Sequence, residues 1–398
     1  MFAQLLSIHN KYMSALKPLF FRDNFNALID WNDRMIGISG SRGVGKTTLI
    51  LQHIKKHCNN KDKCLYVSVD DVSFPYNSLI SLADDFEKFG GEILYIDEIH
   101  KYPNWSVELK NIYDRYPDLK IVFSGSSLLH ISSGNADLSR RAVIYKMYGL
   151  SFREFIQIEG KIKVPAITIN ELLKNHKDIA VEISSKIKPL ALFKDYLQRG
   201  YYPFFLQSKK NYLIKLKQIF SETIERDIAT IYRLDIEKLN KLRRFLFLIS
   251  ETVPIKINIT ELASSLGVNR TIVYEFLQYL SNAGLINLVY SKNKGYKALS
   301  KPEKVYLAHP NHYYALSDTP NIGSLRESFL VNQLAINGIV NYTNKGDFLF
   351  DEKYTFEVGG ASKNFSQISE VPDSFLVLDN IEAGFINKIP LWMFGLLT

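Results

Sequence analysis

Two cysteines in 398 residues leave little room for disulfide or thiolate chemistry. Cys58 and Cys64 stand six apart with only His57 beside them, a spacing that suits neither a disulfide framework nor a zinc site, so they read as two ordinary thiols. No segment approaches the roughly 18 unbroken apolar residues that span a bilayer. The N-terminal stretch MFAQLLSIHNKYMSALKPLF lacks the basic start, apolar middle and small-residue cleavage site of a secretory signal. It reads as an amphipathic helix, and the expected location is the cytoplasm, with no membrane partner. There is no internal repeat and no low-complexity tract. Neither charge dominates: 49 Lys and Arg against 41 Asp and Glu leave a net +8, which permits a nucleic-acid partner without requiring one. The excess lies C-terminal, because residues 1–150 hold 18 basic and 16 acidic side chains against 31 and 25 in the remainder.

A chain of this length exceeds what one hydrophobic core usually supports, so two or three domains are expected. Residues 1–150 alternate short apolar runs with helix-period stretches, the pattern of an α/β domain with a mainly parallel sheet. The expected strands are Met35 to Ser39, Cys64 to Val69, Ile93 to Asp97 and Lys120 to Ser124, with a weaker one at Ala142 to Met147; helices are expected near 46–58, 77–88 and 104–116. Residues 151–251 change to helical spacing throughout, residues 252–310 read as helix, turn, helix and a basic hairpin, and residues 320–398 as a small α+β region. The cluster of Pro, Asn, Asp, Gly and Ser from Pro310 to Ser324 reads as a linker.

Directly after the first strand comes Gly40-Ser41-Arg42-Gly43-Val44-Gly45-Lys46-Thr47, which matches G-x-x-x-x-G-K-[ST] in full and runs through Thr48 into a helical stretch. The chemistry explains the pattern. Glycines let backbone N–H groups curl around phosphates, the following helix turns its positive end toward them, and Lys46 neutralises the β and γ oxygens. Thr47 offers a hydroxyl to Mg²⁺. The run Ile93-Leu94-Tyr95-Ile96-Asp97-Glu98 brings two carboxylates to the sheet edge where the loop lies. Asp97 is assigned to the metal and Glu98 to the attacking water, since phosphoryl transfer needs positioning and charge stabilisation. The cofactors expected are therefore ATP and Mg²⁺.

Ser124, at the end of the next strand, is placed to sense a γ-phosphate or hold the water. Arg140 and Arg141 close the sheet, where a guanidinium would stabilise transition-state charge within one subunit or from a neighbour. Arg42 touches phosphate or decorates the turn, and His100 reads as a surface side chain.

Together, GSRGVGKTTL at 40–49, ILYIDEIHKYPNW at 93–105, FSGSS at 123–127, DLSRR at 137–141 and LSFREF at 150–155 resemble a large family of prokaryotic AAA-type ATPases. The resemblance runs the length of the chain, continuing in DYLQRGYYPFFL at 195–206 and IERDIATI at 224–231. It implies a P-loop ATPase domain over 1–150, a helical lid region over 151–251, a winged-helix-like region over 252–310 and a restriction-endonuclease-like domain over 320–398. It also gives Lys46, Thr47, Asp97 and Glu98 the nucleotide and magnesium roles, and one of Arg140 and Arg141 the role of arginine finger.

The residues of the C-terminal half leave function open. Asn258 to Ala263 starts a helix, Leu266-Gly267-Val268 turns, and Asn269 or Thr271 starts a second helix, on which Arg270, Thr271 and Tyr274 would meet DNA. The hairpin adds Lys292, Lys294, Lys297, Lys301 and Lys304, and residues 256–304 hold seven basic against three acidic side chains. The same module serves equally as a protein contact. From 324 the expected order is helix, three strands, helix, strand, with Asp347 and Glu357 at the metal positions of the endonuclease-like fold. The lysine wanted two residues after Glu357 is missing, and the nearest is Lys363, so a degenerate site used for contacts is expected. Three function classes follow: an ATP-driven machine or switch on nucleic acid, an ATP-gated protein-interaction module, which could also self-associate, and an ATPase coupled to a nuclease.

Overall fold

The apolar runs of the N-terminal third are buried on both faces, as strands of a parallel sheet must be when helices cover each side. The computed structural model describes residues 2–17, 20–58, 63–72, 74, 78–127, 138–251, 257–292 and 301–397. These form two units, Met1–Gly149 and Leu150–Thr398.

In the first unit, helices α1 (Phe2–Ala15) and α2 (Asp23–Leu28) precede β1 (Met35–Ser39), α3 (Lys46–His57), β2 (Cys64–Ser68), α4 (Leu79–Lys88), β3 (Ile93–Asp97), α5 (Trp105–Arg115), β4 (Lys120–Gly125) and β5 (Val143–Lys146). The strands pair in parallel in the order β2-β3-β4-β1-β5. Leu65, Leu94, Ile96 and Phe123 of the sheet pack against Leu82 and Phe86 of α4 and Leu109 and Ile112 of α5. Because β4 lies between β3 and β1, the residues ending those three strands converge on one edge. Strand β2 is an outer strand, and α1 lies against it: the Tyr66 amide donates to Nδ1 of buried His9 at 3.0 Å.

The expectation of two ordinary thiols fails. Cys58 and Cys64 are joined in a disulfide with Cα atoms 6.3 Å apart. The end of α3 and the first residue of β2 return to the same corner of the sheet, a convergence that spacing along the sequence does not reveal.

The second unit begins with a capped turn, Phe152–Phe155, in which Ser151 and Glu154 form a capping box, and it continues as a π-helical turn, Ile156–Gly160. Helices α6 (Ile169–Ser184), α7 (Pro189–Arg199), α8 (Tyr212–Glu222) and α9 (Ile236–Glu251) follow. Next come α10 (Ile259–Leu266) and α11 (Arg270–Asn282), capped by Asn258 and Asn269, with Gly267 between them at φ +61°. Strands β6 (Ile286–Ser291) and β7 (Lys304–Leu307) form an antiparallel pair. The chain ends with α12 (Pro310–Leu316), α13 (Ile322–Asn337), β8 (Val340–Tyr342), β9 (Phe348–Phe350), β10 (Tyr354–Gly359), β11 (Ser374–Leu378) and β12 (Lys388–Pro390). No helix among the described residues is long and apolar enough to cross a membrane.

Several readings of this half are corrected. The hairpin and the C-terminal strands share one seven-stranded sheet, β12-β11-β10-β9-β8-β6-β7, spliced where β6 pairs in parallel with β8 through Tyr290 and Asn341. Residues 360–373, where a helix was expected, form turns, as the Gly359-Gly360 and Pro372 punctuation explains in hindsight. The first half of the segment read as a linker, Pro310 to Ser317, is largely core, while the mostly exposed residues 318–321 connect it to α13. Pro310 opens α12 at a helix position that needs no N–H, and the His309 side chain caps it. Buried Asn311 accepts from the Tyr201 amide at 3.0 Å and from the Tyr212 hydroxyl, and donates to the carbonyls of Tyr196 and Leu197 at 2.9 and 2.6 Å. Composition failed there because helix caps and loops draw on the same residues.

The hairpin lysines are also not a uniform basic surface. Lys294 and Lys297 lie outside the described residues. Lys292 pairs with Glu352 at 3.0 Å, Lys301 is exposed, and Lys304 is buried between Glu327 and Asp347 at 2.9 Å from each. Burial alone would lower the Lys304 ammonium, but the carboxylates of Asp347 and Glu327 outweigh it and raise the group above its ordinary value. Burial, with Asp347 alongside, raises the Glu327 carboxyl. A raised group favours folding when protonated, so the wild-type contribution of Lys304 should persist to the ordinary lysine value of 10.5 and fade as pH rises through the raised one. Lys304→Met should destabilise the protein by up to about 3 kcal/mol at neutral pH, since two partly buried carboxylates lose their cation. The deficit should shrink on acidification as Glu327 takes up a proton, and urea midpoints at neutral and mildly acidic pH measure both effects.

Candidate functional site

The loop after β1 is shaped by its glycines. A Cβ on Gly40 would lie 2.3 Å from the Met147 carbonyl oxygen, and Gly45, the N-cap of α3, has φ +100°. Val44 anchors the loop in the core, while Arg42 is half-buried and Thr48 exposed. The buried Lys46 ammonium donates to the carbonyls of Gly40 at 2.8 Å and Ser41 at 3.2 Å, so it lies folded over the loop. The Ser41 hydroxyl is 3.3 Å from that of Ser127, which ties the loop to the end of β4.

Asp97 is the centre of the site. It is 3% exposed, and three hydroxyls from three elements donate to it. Thr47 of α3 reaches Oδ2 at 2.6 Å, Tyr66 of β2 reaches the same oxygen at 2.9 Å, and Ser124 of β4 reaches Oδ1. The Ser124 oxygen in turn accepts from the Glu98 amide at 3.2 Å. Ser124 thus holds the acidic pair in place, whereas the sequence suggested that it reads a phosphate or holds water. Burial, reinforced by Asp97, raises the Tyr66 phenol far above its ordinary value, so it remains a donor.

Glu98 occupies the left-handed backbone region at φ +55°, a conformation less favourable for a residue with a Cβ, and one shared with several turn residues of the chain. Its side chain is 21% exposed, and Nε2 of His100 lies 3.6 Å from its Oε2. His100 is not the surface side chain its position suggested: only 5% of its side chain is accessible, and its Nδ1 accepts from the Ser126 amide at 3.3 Å.

The two arginines part company. Arg140 is exposed in the turn before β5. Arg141 grips Asp114 with two bonds of 2.9 and 3.0 Å, at the edge where β4 and β5 begin. A five-residue strand spans roughly 17 Å, so Arg141 lies about a strand's length from the phosphate loop of its own chain.

The residues fit a hard divalent cation held chiefly through phosphate and water. Thr47 and Asp97 offer adjacent oxygens, and no group of three or more His, Cys, Asp or Glu forms a metal cage among the described residues. Sequence reasoning missed Tyr66. It lies in the apolar run CLYVS, with no polar punctuation, and its partner belongs to the neighbouring strand.

Comparison with known proteins agrees with the core. Residues 32–156 match the model of an AAA domain, and residues 190–321 match a domain of unknown function, DUF8612. The stretch that matches, residues 32–156, is the one that holds the G-x-x-x-x-G-K-T loop and the parallel sheet, so this part of the chain is similar to an AAA domain. The chain is similar to the uncharacterised protein MJ1637 of Methanocaldococcus jannaschii, with 26% identity over 316 residues, 76% of this chain and 66% of that protein. Among solved structures it resembles the Saccharomyces cerevisiae Hsp104–ADP complex (16% identity, 70% of this chain and 42% of that one, TM-score 0.34). It also resembles a RuvB variant of Thermotoga maritima (17%, 68% and 90%, TM-score 0.32) and AMPPCP-bound DnaA of Aquifex aeolicus (17%, 67% and 92%, TM-score 0.27).

If Ser124 holds the acidic pair, its hydroxyl matters before any nucleotide binds. Ser124→Ala should lower the stability of nucleotide-free protein by about 1–3 kcal/mol, because buried Asp97 loses a donor and the Glu98 amide an acceptor. Urea unfolding without nucleotide tests this, and an unchanged midpoint would return Ser124 to a phosphate-sensing role.

Proposed function

We propose that the chain binds ATP with Mg²⁺ and hydrolyses it. The observation that carries this reading is the contact of Thr47 with Asp97 directly below the phosphate loop, with Glu98 next in sequence and turned by its left-handed backbone. The backbone N–H groups of residues 40–48 and Lys46 bind and neutralise the β- and γ-phosphates. Thr47 and Asp97 hold the magnesium ion, which supplies charge neutralisation when bound. Glu98 orients a water and takes its proton, while Ser124 keeps both acids in register. One of Arg140 and Arg141 is assigned to a neighbouring copy's nucleotide in a self-associated form, and the exposure of Arg140 favours Arg140 for it. Because ATP and magnesium are supplied in the cytoplasm, the reading locates the chain there.

Removing the lysine and the glutamate should have separable effects. Lys46→Ala should abolish nucleotide binding, whereas Glu98→Gln should keep ATP bound and slow turnover by about two orders of magnitude. Calorimetry alongside phosphate release distinguishes them, and equal loss of binding in both would mean Glu98 is misassigned.

For the second unit we propose a winged-helix role in contacting DNA through residues 256–304, with the ATPase acting as a machine or switch. Arg270 and Thr271 support it, since both are exposed in the first turn of α11. The alternative, an ATP-gated protein-contact module, is favoured by the engagement of Lys292 and Lys304 with acids of their own chain. A coupled nuclease is the reading least supported. Lys304 already neutralises Asp347, and Lys363 reaches Glu357 at 2.5 Å, so these acids carry their cations with them. Turnover of ATP with and without DNA across a salt series decides among the three. Stimulation that falls with salt and weakens in Arg270→Ala supports DNA, indifference to DNA supports the protein-contact role, and Mn²⁺-dependent nicking lost in Glu357→Ala would restore the nuclease.

A further inference from the structure

The N-terminal helix and the metal carboxylate meet through one residue. Tyr66 uses its backbone on one side and its side chain on the other: its amide donates to His9 of α1 at 3.0 Å, and its hydroxyl donates to Asp97 at 2.9 Å. The ring is 1% exposed and is met edge-on by Tyr12 of the same helix, with centroids 5.1 Å apart. Among the described residues β2 has no sheet neighbour on that side, and there α1 holds the Tyr66 amide. Of the three hydroxyls on Asp97, two belong to the phosphate-loop helix and to the strand joined to β1. Tyr66 is the third, and through its own amide it connects the Asp97 carboxylate to His9 of α1.

We propose that Tyr66 is a positioning residue for the metal carboxylate, and that α1, by holding Tyr66 through His9 and Tyr12, sets the magnesium requirement of nucleotide binding. This rests on the reading of Asp97 and Thr47 as magnesium ligands. The physical reason is that partners behind a metal ligand fix its orientation, and losing one weakens the metal without removing the ligand. The hydroxyl of Tyr66 shares Oδ2 with Thr47, so the angle at which Asp97 presents that oxygen depends on both. Helix α1 is thereby a handle: anything that displaces it loosens β2 at Tyr66 and raises the magnesium concentration at which the nucleotide is held.

The test uses the full chain and AMP-PNP, titrated once in EDTA and once against MgCl₂ at fixed nucleotide. Tyr66→Phe should raise the half-saturating magnesium concentration about tenfold while leaving metal-free nucleotide affinity unchanged. His9→Ala should move it in the same direction by a smaller factor, and His9→Asn, whose amide oxygen takes the place of Nδ1, should restore it. An unchanged magnesium requirement in Tyr66→Phe, where Asp97→Asn raises it, overturns the proposal and leaves the ATPase reading intact. Proportional loss of metal-free and magnesium-dependent binding also overturns it, by showing that the residue only supports the fold. Failure of the wild type to bind AMP-PNP under either condition defeats the ATPase reading itself, and the proposal with it.

Discussion

A carboxylate removed from water must recover its hydration from the protein, and Asp97 does so with three hydroxyls drawn from α3, β2 and β4. That requirement shapes the first unit. Thr47 can reach Asp97 only if the phosphate loop closes directly into a helix, which Gly45 permits by adopting φ +100°. Ser124 can reach it only if β4 lies next to β3, and Tyr66 only if β2 flanks β3 on the other side. The sheet order, the lengths of three strands and the glycine at the helix start all satisfy one buried acid. The arrangement that stabilises the carboxylate is also the one that brings the phosphate loop, Thr47 and Glu98 close together.

What was legible in the sequence follows from how local each cause is. The phosphate loop and the strands at Met35–Ser39 and Ile93–Asp97 keep the bounds expected of them, because a parallel strand covered on both faces is one unbroken apolar run. Ser124 was legible as a site residue but not in its task, since the task depends on which neighbour its hydroxyl meets. Tyr66 and His100 were illegible for the same reason. A tyrosine in an apolar strand and a histidine after a strand end look like packing and surface until the neighbouring chain segments are in place. Cys58 and Cys64 belong with them, because the turn that brings them together is a property of the βα corner.

In the second unit the errors share a cause too. Lysines between Lys292 and Lys304 looked like a solvated basic hairpin, and the run from Pro310 to Ser324 looked like a linker. Both are held by partners more than ten residues away: Lys304 by Glu327 and Asp347, and Asn311 by Tyr196, Tyr201 and Tyr212. Polar residues in a core are chosen by the groups they satisfy, so their composition imitates that of loops. The match of residues 190–321 to a single domain model takes in the whole of the buried α12.

The splice of β6 to β8 has a consequence for the order in which the molecule can be made. Synthesis delivers Lys304 23 residues before Glu327 and 43 before Asp347, and Tyr290 51 residues before Asn341. A lysine cannot be withdrawn from water ahead of the acids that compensate it. The β6–β7 hairpin therefore stays a wet, open-edged ribbon while the next stretch emerges from the ribosome, and the sheet closes around it from the C-terminal side. The helix pair that precedes the hairpin is complete long before the surface it shares with the rest of its sheet, so in a nascent chain the last strands to appear decide when the earlier ones stop being sticky.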